Sequence, residues 1–220
     1  MKYRLAIFDL DGTLLNTLDD LAACVNHALE KNSLPQRTVS EVKSFVGNGI
    51  KKLIKRAVPN GTSDEQTEIV FSDFKEYYAS HCADSTRPYE GVNELLGRLR
   101  ESGVMTAVLS NKADFAVKTL CEDYFPGLLD SAVGEREADG IPKKPAPDAV
   151  DIMLEQLGVA HKDAVYIGDS DVDVQTARNA GLDLIAVDWG FRERELLKKC
   201  GAETIVSTAD ELFCIITDSQ

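Results

Sequence analysis

Nothing in this 220-residue sequence approaches the roughly 20 consecutive apolar residues that a membrane-spanning helix needs. Its longest apolar stretches are short and interrupted, so no membrane partner is expected. The first ten residues, MKYRLAIFDL, lack the long apolar region and small-residue cleavage site of a secretory signal, which makes a cytoplasmic location the default expectation. Cysteine is sparse: Cys24, Cys82, Cys121, Cys200 and Cys214 are five in number, odd, scattered and without a Cys-x-x-Cys pair. That spacing excludes a disulfide framework and a zinc site and leaves mostly buried thiols. A long basic run is also missing. With 24 Lys and Arg against 37 Asp and Glu, the formal net charge is −13, a surface that repels nucleic acid phosphates. An anionic substrate would therefore need a local concentration of metal and lysine to receive it. There is no internal repeat and no low-complexity tract.

What remains is an ordinary globular composition, 44% hydrophobic and 28% charged, long enough for one large core or two unequal domains. Tyr3 to Leu10 is a short apolar run rich in strand formers, and comparable runs recur at Val104 to Leu109, Ala164 to Gly168 and Leu182 to Val187. Their lack of alternation predicts buried strands. Between them lie helical patterns at Val92 to Arg100, Ala113 to Tyr124, Asp148 to Leu157 and Val172 to Ala180; the first, third and fourth are closed by Gly103, Gly158 and Gly181. A glycine just past the last periodic residue is a common helix stop. Strand alternating with helix at this interval predicts an α/β fold, a parallel sheet covered on both faces.

The stretch from about Asn16 to Ser85 breaks that rhythm. Leu21, Ala22, Val25, Ala28 and Leu29 define one face of a helix from Leu18 to Lys31. A second helix is expected over Val39 to Val46 and a third after Gly49, with a fourth opening at Ser63, where Gln66 stands at capping-box spacing. The expected organisation is a sheet-containing core of residues 1–15 and 86–220, interrupted by a small helical domain of residues 16–85. Its two linkers, near Leu15 to Thr17 and Asp84 to Pro88, could act as a hinge.

Four constellations carry chemistry. Asp9-Leu10-Asp11-Gly12-Thr13 stands where an apolar strand ends, at the edge where open parallel sheets bind ligands. A carboxylate there can attack phosphorus, and a second can donate and accept the proton; an ordinary acidic turn is the alternative. Ser110-Asn111-Lys112 closes the second strand just before a helix, where amides and the dipole can hold a phosphoryl group; a plain helix cap fits as well. Lys143-Lys144-Pro145-Ala146-Pro147 offers an ammonium in a stiff loop, suited to phosphoryl charge, although a solvated loop would look the same. Asp169, Asp171 and Asp173, at alternating positions after the strand AVYIGD, suggest oxygen ligands for a hard cation such as magnesium; helix capping could account for the last two. A calcium loop is set aside, since Val174 and Ala180 stand where it needs glycine and glutamate.

Taken together and in order, Asp9-x-Asp11-Gly12-Thr13, Ser110-Asn111, Lys144-Pro145-x-Pro147 and Gly168-Asp169-Ser170-x-x-Asp173 resemble the four motifs of the haloacid dehalogenase superfamily phosphatases. The likeness spans residues 9 to 173 and reaches Ala180-Gly181. It implies a Rossmann-like core with a helical cap, a magnesium cofactor, and a small phosphorylated metabolite as the partner. It implies Asp9 as nucleophile and metal ligand, and Asp11 as general acid/base with its carbonyl on the metal. Thr13, Ser110 and Asn111 would bind the phosphoryl group, and Lys144 rather than Lys143 would neutralise charge. Asp169 would complete the metal site, with Asp173 acting from outside it.

Within that superfamily, the dehalogenase branch lacks a carboxylate at the position of Asp11, which disfavours dehalogenation. Relatives similar to beta-phosphoglucomutase carry a histidine shortly after the first motif, and Thr17 to Leu21 has none. His27 is the first nearby and is expected on a face of the cap helix. Many relatives have an aspartate where this chain has Asn16 before Thr17, a difference that bears on cap contacts. Phe45-Val46-Gly47-Asn48-Gly49-Ile50, followed by Lys51, Lys52, Lys55 and Arg56, looks like the corresponding stretch of phosphoglycolate phosphatases. A glycine-flanked loop opening a helix offers amides to a small carboxylate, so Gly47, Asn48 and Gly49 are expected substrate contacts. The alternatives are a mutase, a phosphatase for pyrophosphate, a sugar phosphate or a nucleotide, and a non-catalytic phosphate-ligand binder. Trp189 could pack near the site or in the core.

Overall fold

The computed structural model describes residues 2–218, which divide into two compact units. Residues up to Leu15 and from Pro88 onward form one, and Asn16–Arg87 the other.

The first unit is built on a six-stranded sheet. Leu5–Phe8 (β1) is buried at every position, so neither face shows the polar alternation of a half-exposed strand. Parallel to it on one side runs Met105–Ala113 (β4), with Phe8 opposite Val108, and on the other Ala164–Gly168 (β6), with Phe8 opposite Ile167. Ser131–Glu135 (β5), Asp183–Val187 (β7) and Ile205–Val206 (β8) complete the order β5-β4-β1-β6-β7-β8. The short pair Leu15–Asn16 (β2) and Arg87–Pro88 (β3) makes a two-stranded sheet of its own. Because the chain builds outward from β1 in one direction and then returns to build in the other, the strand order reverses at β1. The crevice beyond the carboxyl ends of β1, β4 and β6 is therefore the place where such sheets bind ligands.

Helices Val92–Glu101 (α5), Asp114–Tyr124 (α6), Asp148–Leu157 (α7), Asp171–Ala180 (α8), Arg194–Cys200 (α9) and Ala209–Thr217 (α10) cover the sheet. On one face Leu5, Ile7, Leu109 and Tyr166 pack with Val150 and Met153 of α7 and Ala177 of α8. α5 and α10 pack together elsewhere in this unit. Besides the two-residue β2 and β3, two strands of the large sheet lie outside the sequence expectation. β5 is an edge strand with only Gly134 fully buried, and β8 has two residues, so neither leaves an apolar run to read.

The second unit holds four helices, Leu18–Lys31 (α1), Val39–Phe45 (α2), Ile50–Ala57 (α3) and Asp64–His81 (α4). α1 buries Leu21, Ala22, Cys24, Val25, Ala28 and Leu29 and packs on α2 and α4. Val70, Phe74 and Tyr78 of α4 are buried, with the two rings stacked at 5.1 Å. Thr38 and Glu41 form a reciprocal capping box at α2. At α4 only half of the expected box is present: Ser63 accepts from the Gln66 amide, while the Gln66 side chain donates to Asn32 instead. Asp20, buried in the first turn of α1, accepts from the backbone amides of Ser85 and Thr86 at 2.8 Å each and from the Thr86 hydroxyl at 2.7 Å. One carboxylate thus fastens the start of the helical unit to its end. Among the described residues, no helix is long and apolar enough to cross a membrane.

Candidate active site

β1 stops at Phe8, and the chain turns at once. The amides of Leu14 and Leu15 both donate to the Leu10 carbonyl at 3.0 Å, and Gly12 sits at φ +90°, a conformation that costs a residue with a Cβ. The turn splits the two carboxylates of the first motif between two partners. Asp9 Oδ1 accepts from its neighbour's amide, Leu10, at 2.7 Å and lies 3.0 Å from Lys144 Nζ. Asp11 Oδ1 lies 2.7 Å from Lys112 Nζ.

Lys144 is enclosed. Its ammonium donates to Asp173 Oδ1 at 2.8 Å and to the Tyr166 hydroxyl at 3.0 Å, besides facing Asp9, so three acceptors meet three N–H groups. Burial opposes its charge, but Asp173 and Asp9 overcome that and hold it protonated well above the ordinary lysine range. For Asp9 burial is the largest influence and pushes the carboxyl from 3.8 up to about 7; Lys144 pulls it down, and the charges of Asp173 and Asp11 push it further up. Lys143 points elsewhere and pairs with Glu137 at 2.8 Å.

Asp169 follows β6 directly. Its Oδ2 accepts from the Phe191 amide at 2.6 Å and its Oδ1 from the Thr13 hydroxyl at 3.3 Å. Thr13, expected to hold the phosphoryl group, therefore gives its hydroxyl to Asp169 in this structure. Burial, then the charges of Asp173 and Asp9, raise the Asp169 carboxyl well above its ordinary range. Two glycines make room for it. A Cβ on Gly12 would lie 2.4 Å from Asp169 Oδ2, and one on Gly190 would lie 2.3 Å from the Gly12 carbonyl and 2.4 Å from Asp169 Cβ. The indole of Trp189 donates to the Thr13 carbonyl at 3.0 Å, so this tryptophan braces the turn that carries the first motif.

Of the three alternating aspartates, only two belong to the cluster. Asp171 is 42% exposed at its side chain and pairs with Arg192 at 3.6 Å, since the first turn of α8 points it outward. Asp173 caps as well as clusters: Ser170 and Asp173 form a reciprocal capping box, in which Asp173 Oδ2 accepts from the Ser170 amide and hydroxyl.

The second motif differs from its expected setting. β4 continues through Ala113, with an irregularity in its pairing to β5 between Leu109 and Ala113, and α6 begins only at Asp114 without a side-chain cap. Ser110 and Asn111 are therefore not helix caps: they lie within β4, ahead of the first residue of α6. They occupy the disturbed end of a strand, where an interrupted ladder re-aims side chains. The Asn111 amide donates to the Lys144 carbonyl at 3.0 Å, tying the second motif to the third. Asn111 and Lys144 are buried with Ser110 and Lys112.

Two further residues of this cluster carry no motif sign of their place in it: Lys112 follows Ser110-Asn111, and Tyr166 is one strand former among others. A tyrosine inside an all-buried strand is itself a signal, because its hydroxyl must find a partner. In the helical unit, Gly47 and Gly49 both take positive φ around Asn48, and Gly49 precedes α3. Arg56 is committed to this loop: it donates to the Phe45 carbonyl and to Asn48 Oδ1, each at 2.7 Å. Lys51 pairs with Glu68. His27 stacks on Tyr77 at 3.7 Å. Cys24, Cys82 and Cys121 are buried, Cys200 is half-buried and Cys214 exposed; burial pushes the Cys121 thiol up to about 12, which makes it a poor nucleophile.

Oxygens of Asp9, Asp169 and Asp173 lie within 4.8 Å of one another. Asp173 is fully buried, with the Lys144 ammonium on one oxygen and Ser170 on the other. Asp169 also has a donor on each oxygen, but one of them, the Thr13 hydroxyl, is long at 3.3 Å, so Asp9 and Asp169 are the carboxylates better placed to receive an ion. Raised carboxyls crowded together, with oxygen donors alone, fit a hard divalent cation.

The family model described as haloacid dehalogenase-like hydrolase matches residues 6–187. The chain is 32% identical to phosphoglycolate phosphatase 1 of Pseudomonas aeruginosa, covering 96% of this chain and 79% of that protein. It is 34% identical to a phosphoglycolate phosphatase of Chromobacterium violaceum, covering 94% and 93%. A crystal structure of a proposed phosphoglycolate phosphatase from Lactobacillus delbrueckii subsp. bulgaricus superposes with a TM-score of 0.92 at 41% identity, over 98% of this chain and 99% of that one. A sheet whose strand ends gather two motif carboxylates, a buried lysine and an acidic pair, together with a match over most of its length, leads to one assignment: the chain belongs to the haloacid dehalogenase-like hydrolase family.

Proposed function

We propose that this hydrolase is a magnesium-dependent phosphatase that acts on a small phosphomonoester through an aspartyl-phosphate on Asp9. The observation that carries the proposal is the placement of Asp9 at the end of β1, 3.0 Å from Lys144 and within one oxygen cluster with Asp169. Asp9, Asp169 and the backbone carbonyl of Asp11 would hold the magnesium, with Asp173 supporting from outside. The ion would offset the repulsion between the carboxylate and the incoming phosphate.

The steps then fall to the chain's own groups. An Asp9 carboxylate oxygen attacks phosphorus, the ester P–O bond breaks, and the departing oxygen takes the proton of the Asp11 carboxyl. Ser110 and Asn111 receive the phosphoryl oxygens, and Lys144 offsets their charge. Water then attacks the same phosphorus and gives its proton to the Asp11 carboxylate. The Asp9–phosphorus bond breaks, phosphate leaves, and both carboxyls return to their starting states. Thr13 and the Phe191 amide keep Asp169 in place throughout.

The helical unit, residues 16–85 in this reading, serves as the cap that selects the ester. Phosphoglycolate is the proposed substrate. The names of the two bacterial relatives support it, as does the glycine-flanked Gly47-Asn48-Gly49 loop that opens α3, a helix start of the kind suited to a small carboxylate.

The test is phosphate release from a panel of esters, phosphoglycolate and sugar phosphates among them, with and without magnesium and with Asp9→Asn as the control. Metal-dependent release that prefers phosphoglycolate and vanishes in the variant supports the proposal. Release that persists in Asp9→Asn would sink the nucleophile assignment, and preference for another ester would sink the substrate.

A further inference from the structure

Lys112 is a buried lysine that the reaction scheme leaves unused. Its side chain is 1% exposed, and its ammonium lies 2.7 Å from Asp11 Oδ1. The contact follows from the sheet. β1 and β4 are parallel neighbours with Phe8 opposite Val108, so the Asp9 to Asp11 turn that follows β1 lies beside the Ser110 to Lys112 segment of β4. Past Leu109 the pairing of β4 with β5 is disturbed, and there Lys112 turns in to reach across to Asp11. Each motif carboxylate thus has its own buried lysine, Lys144 for Asp9 and Lys112 for Asp11.

The two lysines are placed differently. Lys144 belongs to the Asp9 cluster and faces where phosphate would arrive. Lys112 lies behind a carboxylate that is still 14% exposed on a turn held open by Gly12. Asp11 has two side-chain torsions and keeps some access to solvent. A charge-assisted bond to an ammonium that can hardly move selects one orientation. Proton transfer to a departing oxygen needs the carboxyl within hydrogen-bond reach, and a misplacement of about 1 Å can cost on the order of 100-fold in rate.

The geometry points to Lys112 as the positioning residue for Asp11: it holds the acid/base carboxyl in register with the leaving oxygen and contacts neither phosphate nor metal. This rests on the proposed phosphatase reaction and adds to it a residue that acts only through another.

The experiment is a double-mutant cycle of Lys112→Met and Asp11→Asn on the full chain, scored by kcat and KM for the best ester, with crystal structures of the wild type and Lys112→Met beside it. A lysine that works through Asp11 gives a kcat loss of about 30- to 100-fold in Lys112→Met with KM within about threefold. In the Asp11→Asn background the same substitution changes kcat by less than about threefold, because the group it positions is already disabled. Equal losses in both backgrounds would overturn the inference, and so would a rise in KM with kcat intact, which marks a substrate anchor instead. Should Lys112→Met not fold, Lys112→Gln, which keeps a donor, enters the same cycle. The structural arm needs no turnover. If the wild type releases no phosphate, the phosphatase reading fails, while an Asp11 carboxylate that stays in place in Lys112→Met still overturns the positioning role, and a displaced one supports it.

Discussion

Lys144 stands 3.0 Å from Asp9 and gives its remaining hydrogen bonds to Asp173 and Tyr166. The lysine that would face the incoming phosphate is thus held by groups that do not react. Lys144→Ala removes the buried charge and is expected to lower kcat by at least about 100-fold, the scale of losing an electrostatic contact to the transition state. Lys144→Arg should not restore the rate, because a branched guanidinium has no room among three acceptors already within 3.0 Å. Steady-state kinetics on both variants checks this; recovery by arginine would show that charge alone matters there.

Asp9→Asn should make the metal-free protein more stable while abolishing turnover. In the folded chain the Asp9 carboxyl is pushed from 3.8 up to about 7. Below about pH 4 it is protonated in both folded and unfolded states and contributes nothing. Between about pH 4 and 7 the folded state keeps a proton that the unfolded state has released, so stability falls as pH rises, and above about 7 the full penalty stands. Asparagine removes that penalty, and Lys144 keeps Asp173 as a counter-charge. Thermal melts in EDTA should show the variant's midpoint about 5 °C or more above wild type at pH 8, with the difference shrinking toward pH 4. Excess magnesium should narrow the gap at pH 8 by stabilising the wild type.

Gly190→Ala places a methyl group 2.3 Å from the Gly12 carbonyl and 2.4 Å from Asp169 Cβ. Neither neighbour is a flexible side-chain tip, so the Asp169 loop must shift. The expected result is a loss of about 100-fold in kcat and a higher magnesium requirement. Gly97→Ala provides the contrast: nothing lies within 4 Å of its added carbon inside α5, and it should raise stability by about 0.5–1 kcal/mol with activity unchanged. Metal titrations and melts on the two variants separate a local clash from a general glycine effect.

Asp20→Ala leaves the amides of Ser85 and Thr86 and the Thr86 hydroxyl without their shared acceptor. Stranding these donors should cost about 2–4 kcal/mol and lower the thermal midpoint by about 5–10 °C. Asp20→Asn, which keeps one acceptor oxygen, should recover part of the loss. Equal midpoints for alanine and wild type would show that water replaces the carboxylate without cost.

The sheet was legible where its strands are buried on both faces. β1, β6 and the buried end of β7, Ile185 to Val187, stand out as apolar runs, and glycines mark the ends of α7 and α8. β5 was not legible, because a half-exposed edge strand ending in Gly134 and Glu135 has no apolar signature. The chemistry was legible wherever a reactive residue follows a strand, as Asp9 and Asp169 do, since strand ends converge on one crevice. Lys112 and Tyr166 were opaque for the complementary reason. What makes them matter is a neighbour some hundred positions away for Lys112 and some twenty for Tyr166, and only strand adjacency reveals it. Ser110 and Asn111 were visible as residues, but their place inside β4 rather than after it was not, because no local signal tells that β4 runs on past Leu109.

Asp20 has a further consequence. A segment whose first helical turn clasps its last residues is closed on itself, like a bead whose thread enters and leaves by one hole. Such a cassette can be lengthened, re-sequenced or exchanged for another of the same footing without stretching the sheet that hosts it, since the host need only supply two nearby ends. The carboxylate that fastens it is therefore also a marker of where a graft should be cut: outside Asp20 and outside Thr86, never between them.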